Sequence, residues 1–262
     1  MPGATLNDAL RVVRTLAAEG HACTLGYFDD GAQPPREVAE QSAAIVDVVA
    51  TLDRPGYVSI KAPALRYELE ALDRVLARCR LRAVRAHFDS HDLGHAEMTL
   101  ACAERALDLG GAAGLTLPGR WRRSLDDAEH VCALGIRARV VKGEWPDPEQ
   151  PRADARAGFL AVVDALVAHG AAEVAVATHD PPLAREALRR LGSAGVRCEL
   201  ELLHGLPRRG VLAVAQEIGV PVRVYVPYGI AWRPYALRQA LRRPRILWWL
   251  ARDLAAGVMR RP

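Results

Sequence analysis

Eight short apolar segments, separated by stretches long enough for a helix, are the feature that most restricts the fold of this chain. The first is Ala22–Tyr27 and the last begins at Val222. Between them the apolar spacing changes repeatedly from the period of a strand to that of a helix. Strands separated in this way pair in parallel through right-handed crossovers. Eight such units in about 250 residues predict an α/β fold, a (β/α)8 barrel of the TIM type.

The predicted elements follow one another along the whole chain. A helix over Leu6–Ala18 precedes the first strand, and the stretch Val222–Pro244 supplies the eighth strand and the eighth helix. The other predicted strands are Tyr57–Lys61, Ala83–Phe88, Ala113–Leu117, Arg137–Lys142, Glu173–Thr178, Arg197–Leu203 and Val222–Val226. The other predicted helices are Arg36–Leu52, Ala64–Cys79, Ala96–Leu109, Leu125–Leu134, Arg152–His169, Pro182–Leu191, Arg209–Ile218 and Ile230–Pro244. Short, evenly spaced loops predict one domain over residues 1–262, with a helical lead-in over 1–20 and the barrel over 21–250.

The amino-acid composition of the chain limits the classes of function that it can have. The 35 basic and 31 acidic residues are interspersed, so no polybasic stripe points to nucleic acid. Five scattered cysteines without a C-x-x-C spacing favour free thiols in the cytoplasm over disulfides or a zinc site. No signal-like start or membrane-spanning run is seen. The segment Ile246–Leu250, flanked by arginines, suits packing on the barrel or peripheral contact with a membrane.

Polar side chains collect where the predicted strands end, and barrel enzymes carry their active sites at that end. They are Lys61, His87, Asp89, Arg139, Lys142, Thr178, His179, Glu201, His204, Tyr225 and Tyr228. Arg139 and Lys142 on strand five need partners, because a buried unpaired cation is unstable. An anionic cofactor would provide a partner, and Gly143 would let the backbone approach it closely.

The stretch Val222–Pro244 combines a strand end with a helix whose polar residues share one face. Tyr235, Arg238, Gln239 and Arg242 are spaced i, i+3, i+4 and i+7. A phenol and a guanidinium on one face suit a small carboxylate. A solvated arginine-rich face is the alternative.

Several of these segments resemble the flavin-dependent proline dehydrogenases. R-V-V-K-G at Arg139–Gly143 resembles the family's R-L-V-K-G, and A-T-H-D-P at Ala177–Pro181 resembles its A-T-H-D/N segment. R-V-Y-V-P-Y-G at Arg223–Gly229, followed by Tyr235 and Arg238, resembles its C-terminal signature. E-L-E-L-L-H-G at 199–205 resembles F-E-F-Q-x-L-Y-G. The resemblance spans roughly residues 22–250.

The resemblance implies a function. It implies FAD-dependent oxidation of L-proline or a related cyclic amino acid to the imine, with electrons passed to a quinone-type acceptor, as in proline catabolism. Lys61 and Arg238 would hold the carboxylate, and Leu203, Tyr225 and Tyr235 would shape the ring pocket. His87, Gln239 and Arg242 would complete the substrate site. The residues implied for the cofactor are Arg139, Val141, Lys142, Gly143, Thr178, His179 and Glu201.

Departures from the family pattern cluster in the implied pocket. His87 stands where strand three of the family has Asp, and Pro118 and Glu201 replace glutamines that contact the flavin. Gln239 replaces an Arg, and Arg242 replaces a Glu. These changes favour an altered substrate, or a barrel that binds a small carboxylate without a flavin.

Two further alternatives rest on single features. Lys61 could serve as a Schiff-base amine if it is desolvated and its pKa is lowered. The spacing H-x-D-x-H-x-x-x-H from His87 to His95 could supply metal ligands, but it runs from a strand end into a helix start. No metal is therefore expected.

Overall fold

The computed structural model describes residues 3–231, which form a closed barrel of eight parallel strands in chain order. The strands are β1 Ala22–Tyr27, β2 Tyr57–Ile60, β3 Arg85–Phe88, β4 Ala113–Pro118, β5 Arg137–Val141, β6 Glu173–Ala177, β7 Arg197–Leu203 and β8 Val222–Tyr228. The ring closes where β1 pairs with β8, from Ala22 beside Arg223 to Tyr27 beside Tyr228. The predicted (β/α)8 barrel is confirmed.

The α-helices surround the barrel. Those of residues 3–231 are α1 Leu6–Ala18, α2 Pro35–Val49, α3 Leu69–Leu81, α4 Ala96–Asp108, α5 Ser124–Ala133, α6 Ala155–Ala168, α7 Pro181–Ser193 and α8 Arg209–Ile218. Helix α1 begins with a capping box formed by Thr5 and Asp8, and it contacts both β8 and β1. The predicted helical lead-in therefore packs against the two strands that close the barrel.

The apolar core lies between the strands and the helices, whereas the inside of the barrel is strongly polar. Leu25, Val58 and Val176 are fully buried in the outer core. Arginine, glutamate and tyrosine side chains are buried inside the ring instead of the branched aliphatic layers usual for this fold. Because strand side chains alternate between the two faces, residues two apart on a strand share the interior.

Several boundaries differ from the predictions by a few residues, and three of these differences have a cause in the backbone. The helix predicted over Ala64–Cys79 is divided, since Arg66 and Tyr67 adopt left-handed φ values of 47° and 57° between a 3-10 helix and α3. Ala83 has a φ of 53°, so β3 begins two residues later than predicted. Strand β8 continues through Pro227, because parallel pairing with β1 tolerates the missing N–H at this position.

No helix among residues 3–231 combines the length and apolar character needed to span a bilayer. Four predicted site residues and the segment predicted to contact a membrane lie outside the described range. They are Tyr235, Arg238, Gln239, Arg242 and Ile246–Leu250. Nearly all of the helix predicted over Ile230–Pro244 also lies outside it.

Candidate functional site

Arg139 lies at the centre of the barrel interior, where its side chain is 5% exposed. Its Nε and Nη2 atoms donate to Glu201 at 3.0 and 2.8 Å, which makes a bidentate ion pair. Nη1 donates to Asp89 Oδ1 at 2.5 Å and to Thr116 Oγ1 at 3.4 Å, and Nη2 also donates to the Tyr57 hydroxyl at 3.3 Å. A guanidinium has five N–H groups. Each of the five therefore has an acceptor within the protein.

Arg139 is thus paired with carboxylates of the same chain, while its role at an anionic cofactor stays a prediction. Burial would raise the pKa of Glu201, but Arg139 and Arg137 hold it below its ordinary value. Glu201 is consequently ionised and balances the guanidinium. Inside the barrel, the positive charge of Arg139 is balanced by carboxylates of the same chain.

A second layer of ion pairs lies below the layer of Arg139 and Glu201, nearer the N-terminal ends of the strands. Arg223 donates from Nε to Glu199 at 2.6 Å, and its Nη1 donates to backbone carbonyls of β1 and of the loop before β2. Arg137 pairs with Glu199 and, at 2.7 Å, with Glu173. The first Arg of R-V-Y-V-P-Y-G and the first Glu of E-L-E-L-L-H-G therefore hold β7 and β8 together inside the barrel.

Asp89 is the acidic residue that β3 brings to the C-terminal mouth; the sequence placed it at the strand end but assigned it no role toward substrate or cofactor. Its carboxylate accepts from Ser59 at 2.6 Å, from Arg139 and, at 2.9 Å, from the Tyr225 hydroxyl. His87, predicted at the substrate site, lies one layer deeper, with Nε2 2.9 Å from Thr116. Burial and nearby arginines hold the pKa of His87 well below its ordinary value, so it is neutral. The alternation of β3 could have indicated Asp89, because residues 87 and 89 share the interior face.

Lys61 ends β2 at the same mouth, beside Asp89. Its Nζ donates to the Tyr27 carbonyl at 3.3 Å, lies 3.3 Å above the Phe28 ring and is 3.9 Å from the nearest Asp89 oxygen. Burial lowers the pKa of Lys61 to about 8, although Asp89 and Asp29 oppose the shift. Asp89 already accepts three shorter hydrogen bonds, so the ammonium keeps capacity for another anion. The lowered pKa is also the property that a Schiff-base amine would need.

Apolar side chains lie across the barrel from Lys61. Val141 on β5 and Leu203 on β7 are half-buried and share the interior face with Arg139 and Glu201. Tyr225 on β8 is half-buried beside β1, where a Cβ atom at Gly26 would come within 2.2 Å of its hydroxyl. The mouth therefore pairs a cation on one side with apolar surface on the other.

The predicted cofactor residues fit a flavin only in part. Arg139 and Glu201 are engaged with each other. His179 is also engaged, since Nδ1 lies 2.8 Å from the Pro207 carbonyl and Nε2 accepts the Leu203 N–H at 2.9 Å. Burial lowers the pKa of His179 to about 4, so the ring is neutral and holds two loops together.

The remaining cofactor residues keep some capacity for a ligand. Lys142 pairs with Asp180 at 2.9 Å, but its side chain is 39% exposed and has two further N–H donors. The Thr178 oxygen accepts the Asp180 N–H, which leaves its hydroxyl hydrogen available to an acceptor. Gly143 has a φ of 91°, a conformation that favours glycine. The described residues that best suit a flavin cofactor are therefore Val141, Lys142, Gly143 and Thr178.

A cavity of about 500 Å³ opens at the opposite end of the barrel, where the strands begin. Arg54, Arg85 and Arg197 are among its lining residues. Barrel enzymes carry their chemistry at the C-terminal ends of the strands. We therefore place the candidate site at the mouth formed by Lys61 and Asp89, not in this cavity.

Comparison with known proteins points to one class of enzyme. No protein-family model matches the chain. Proline dehydrogenase 2 of Bacillus subtilis (strain 168) is 23% identical over 258 residues, covering 92% of this chain and 84% of the relative. Proline dehydrogenase 1 of Bacillus subtilis subsp. natto is 24% identical over 260 residues, covering 92% and 85%. Proline dehydrogenase of Deinococcus radiodurans is 24% identical over 276 residues, covering 97% and 88%.

The chain is similar to proline dehydrogenases over almost its whole length. Among solved structures, an aldolase/citrate lyase family protein of Burkholderia cenocepacia J2315 has a TM-score of 0.48 at 13% identity, covering 90% of this chain and 99% of that one. Tryptophan synthase of M. tuberculosis has a TM-score of 0.44 at 18% identity, covering 82% and 87%.

Proposed function

We propose that this chain is an oxidoreductase of the proline dehydrogenase type that acts on proline or a related cyclic amino acid. The similarity to enzymes of that name over 92–97% of the chain supports the reaction class. The observation that carries the substrate class is Lys61, a half-buried ammonium 3.9 Å from the nearest oxygen of Asp89. A substrate carboxylate would supply the missing close anion, and the ring would lie toward Val141 and Leu203.

The described side chains would bind and orient this substrate. Lys61 would hold the carboxylate, while Leu203 and Tyr225 would contact the ring. Because the Tyr225 hydroxyl donates a hydrogen bond to Asp89, the Tyr225 ring is fixed before the substrate arrives. Tyr235, Arg238, Gln239 and Arg242 lie outside the described residues, and their roles at the carboxylate and ring remain predictions.

The proposal includes FAD, held by Val141, Lys142, Gly143 and Thr178, and a quinone-type electron acceptor. When bound, FAD would supply the hydride acceptor that oxidation of the carbon next to the ring nitrogen requires. The resemblance also assigns Arg139, His179 and Glu201 to the cofactor, and all three have partners within the protein. Cytoplasmic location and peripheral membrane contact remain part of the same proposal.

The second candidate is a flavin-free barrel that binds a small carboxylate without oxidising it. The engagement of every N–H group of Arg139 favours this candidate. Glu201 takes two of those groups at the position where the family has a glutamine. If this pair limits the cofactor, Glu201→Gln will bind added FAD more tightly than the natural chain.

The visible absorption spectrum separates the two candidates. The purified protein is incubated with excess FAD, freed of unbound cofactor and titrated anaerobically with proline. For the oxidoreductase we expect flavin absorption that bleaches on adding proline, or another cyclic amino acid in a series of ring analogues. Lys61→Met should retain the flavin and require far more substrate. A protein that takes up no FAD contradicts the first candidate.

The same protein can then be tested for carboxylate binding by calorimetry. Cyclopentanecarboxylate is a suitable probe, because it has the ring and the carboxylate but no amine to oxidise. Binding that is lost in Lys61→Met without any flavin uptake supports the second candidate. If neither FAD nor the ring carboxylate binds, both candidates fail.

A further inference from the structure

The loop after β3 gathers two imidazoles and a carboxylate outside the barrel interior. His91, Asp92 and His95 place one ligand atom each within 4.8 Å of the others. Asp92 Oδ2 lies 3.1 Å from His91 Nδ1 and 3.8 Å from His95 Nε2. One carboxylate oxygen therefore faces both rings.

These separations suit a common metal ion. Ligand bonds to zinc are about 2.0–2.2 Å, so neighbouring ligand atoms in a tetrahedral shell lie roughly 3.3 Å apart. The two distances to Asp92 lie close to that value on either side. Imidazole nitrogen and carboxylate oxygen are also ligand types that zinc and its divalent neighbours accept.

Tyr67 holds the His95 ring with the coordinating nitrogen toward Asp92. Its hydroxyl lies 2.8 Å from His95 Nδ1, on the opposite side of the ring from Nε2. Histidines that bind metals commonly make such a second hydrogen bond through the other ring nitrogen. Tyr67 itself has a φ of 57° and follows Arg66 at 47°, so two left-handed residues without glycine bring the phenol here. Strained backbone of this kind is concentrated at functional sites.

Trp145 supports the second ring. The His91 and Trp145 rings stack with centroids 4.7 Å apart. The side chains of His91, Asp92 and His95 are 39%, 44% and 39% exposed, so solvent can reach the point between them. An ion there would have three protein ligands and room for water.

The motif differs from the one that the sequence suggested. His87 and Asp89 belong to the barrel interior, where they bond Thr116 and Arg139. The ligand spacing is reduced to H-D-x-x-H, from His91 to His95.

We propose that His91, Asp92 and His95 bind one divalent transition-metal ion of the zinc type, with water completing its coordination. The site is independent of the oxidoreductase proposed above. The ion would join the β3–α4 loop to Tyr67 and Trp145, which come from different loops around the barrel. It would thereby stiffen one side of the mouth.

Calorimetry with the untagged full-length chain tests this site. After treatment with a chelator, the protein is titrated with zinc and, separately, with nickel. We expect one ion per chain, and a rise in the melting temperature when the ion is added. His91→Ala and His95→Ala should each weaken binding at least tenfold, and Tyr67→Phe should weaken it about 10-fold to 100-fold through the lost second hydrogen bond.

His130→Ala is the matched control. This imidazole also pairs with a carboxylate, Glu104, at 2.6 Å, but without a second histidine. We expect its removal to leave binding unchanged. Failure to bind one ion per chain at 100-fold molar excess overturns the proposal, as does equal affinity in the His91→Ala/His95→Ala double variant. If an alanine variant does not fold, His95→Gln and Tyr67→Phe decide the question.

Discussion

Replacing Glu201 by glutamine removes a buried charge with almost no change of shape. The Glu201 carboxylate is 2% exposed and accepts from two atoms of Arg139, from Tyr57 and, at 3.2 Å, from Thr24. A glutamine amide keeps one acceptor oxygen, and its NH₂ group would face donors. We therefore expect Glu201→Gln to destabilise the fold strongly.

The magnitude follows from the contacts that are lost. A hydrogen bond to a charged group contributes about 1.5–3 kcal/mol, and removing one partner of a buried ion pair typically costs about 3–5 kcal/mol. Asp89 remains 2.5 Å from Arg139 and still balances part of its charge. The lower end of the range applies, so we expect a loss of about 3 kcal/mol in the free energy of unfolding.

Urea unfolding followed by circular dichroism measures this loss. Glu217→Gln is the control, because Glu217 pairs with Arg185 and Arg189 at the surface and is 45% exposed. Exposed pairs contribute about 0–1 kcal/mol. Equal losses in the two variants would show that Glu201 is not the ionised partner of Arg139. The deficit should also shrink in acid, because a carboxylate whose pKa is lowered on folding stabilises the fold only above its pKa.

Two other predictions concern ligand binding and packing. Burial lowers the pKa of Lys61 to about 8, so the ammonium is largely present at pH 7 and largely lost at pH 9. We expect the dissociation constant of cyclopentanecarboxylate to rise about tenfold over that interval; the same profile in Lys61→Met would contradict the assignment. A Cβ at Gly158 would come within 1.8 Å of the Gly119 carbonyl oxygen, whereas a Cβ at Gly192 would point into open space, with no atom beyond its own helix within 4 Å. Gly158→Ala should therefore destabilise by about 1–3 kcal/mol and Gly192→Ala should stabilise by about 0.5–1 kcal/mol; thermal unfolding shifts of the same sign would refute this reasoning.

The barrel could be predicted because its signal is local and repeated. Each strand can be predicted from the apolar pattern of its own four to seven residues. The helices between the strands leave few alternative topologies. The same alternation places Arg139 and Glu201 inside the ring. The divided helix at Arg66 and Tyr67 could not be predicted, because neither position carries the Gly or Asn that usually marks a left-handed residue.

The ion-pair partners of the buried charged residues could be identified only from the structure. Arg139 and Glu201 are 62 residues apart, and Arg223 reaches a carbonyl of β1 that is 200 residues away. The sequence indicated that Arg139 needs an anionic partner, but it could not indicate that Glu201 and Asp89, from two other strands, would supply one. The sequence also could not show which of His87 and Asp89 reaches the mouth of the barrel. Both face the interior, and the answer depends on where β3 ends.

The seam between β1 and β8 also has a consequence for the chain as it is synthesised. β1 is complete at Tyr27, but its partner is not complete until Tyr228, about 200 residues later. During that interval β1 has an unpaired edge, and such edges promote association between chains. Helix α1 is made before β1 and packs against it in the folded protein, so it is available to cover part of β1 in the nascent chain. A chain cut before Val222 would retain two open edges, at β1 and β7, and should aggregate.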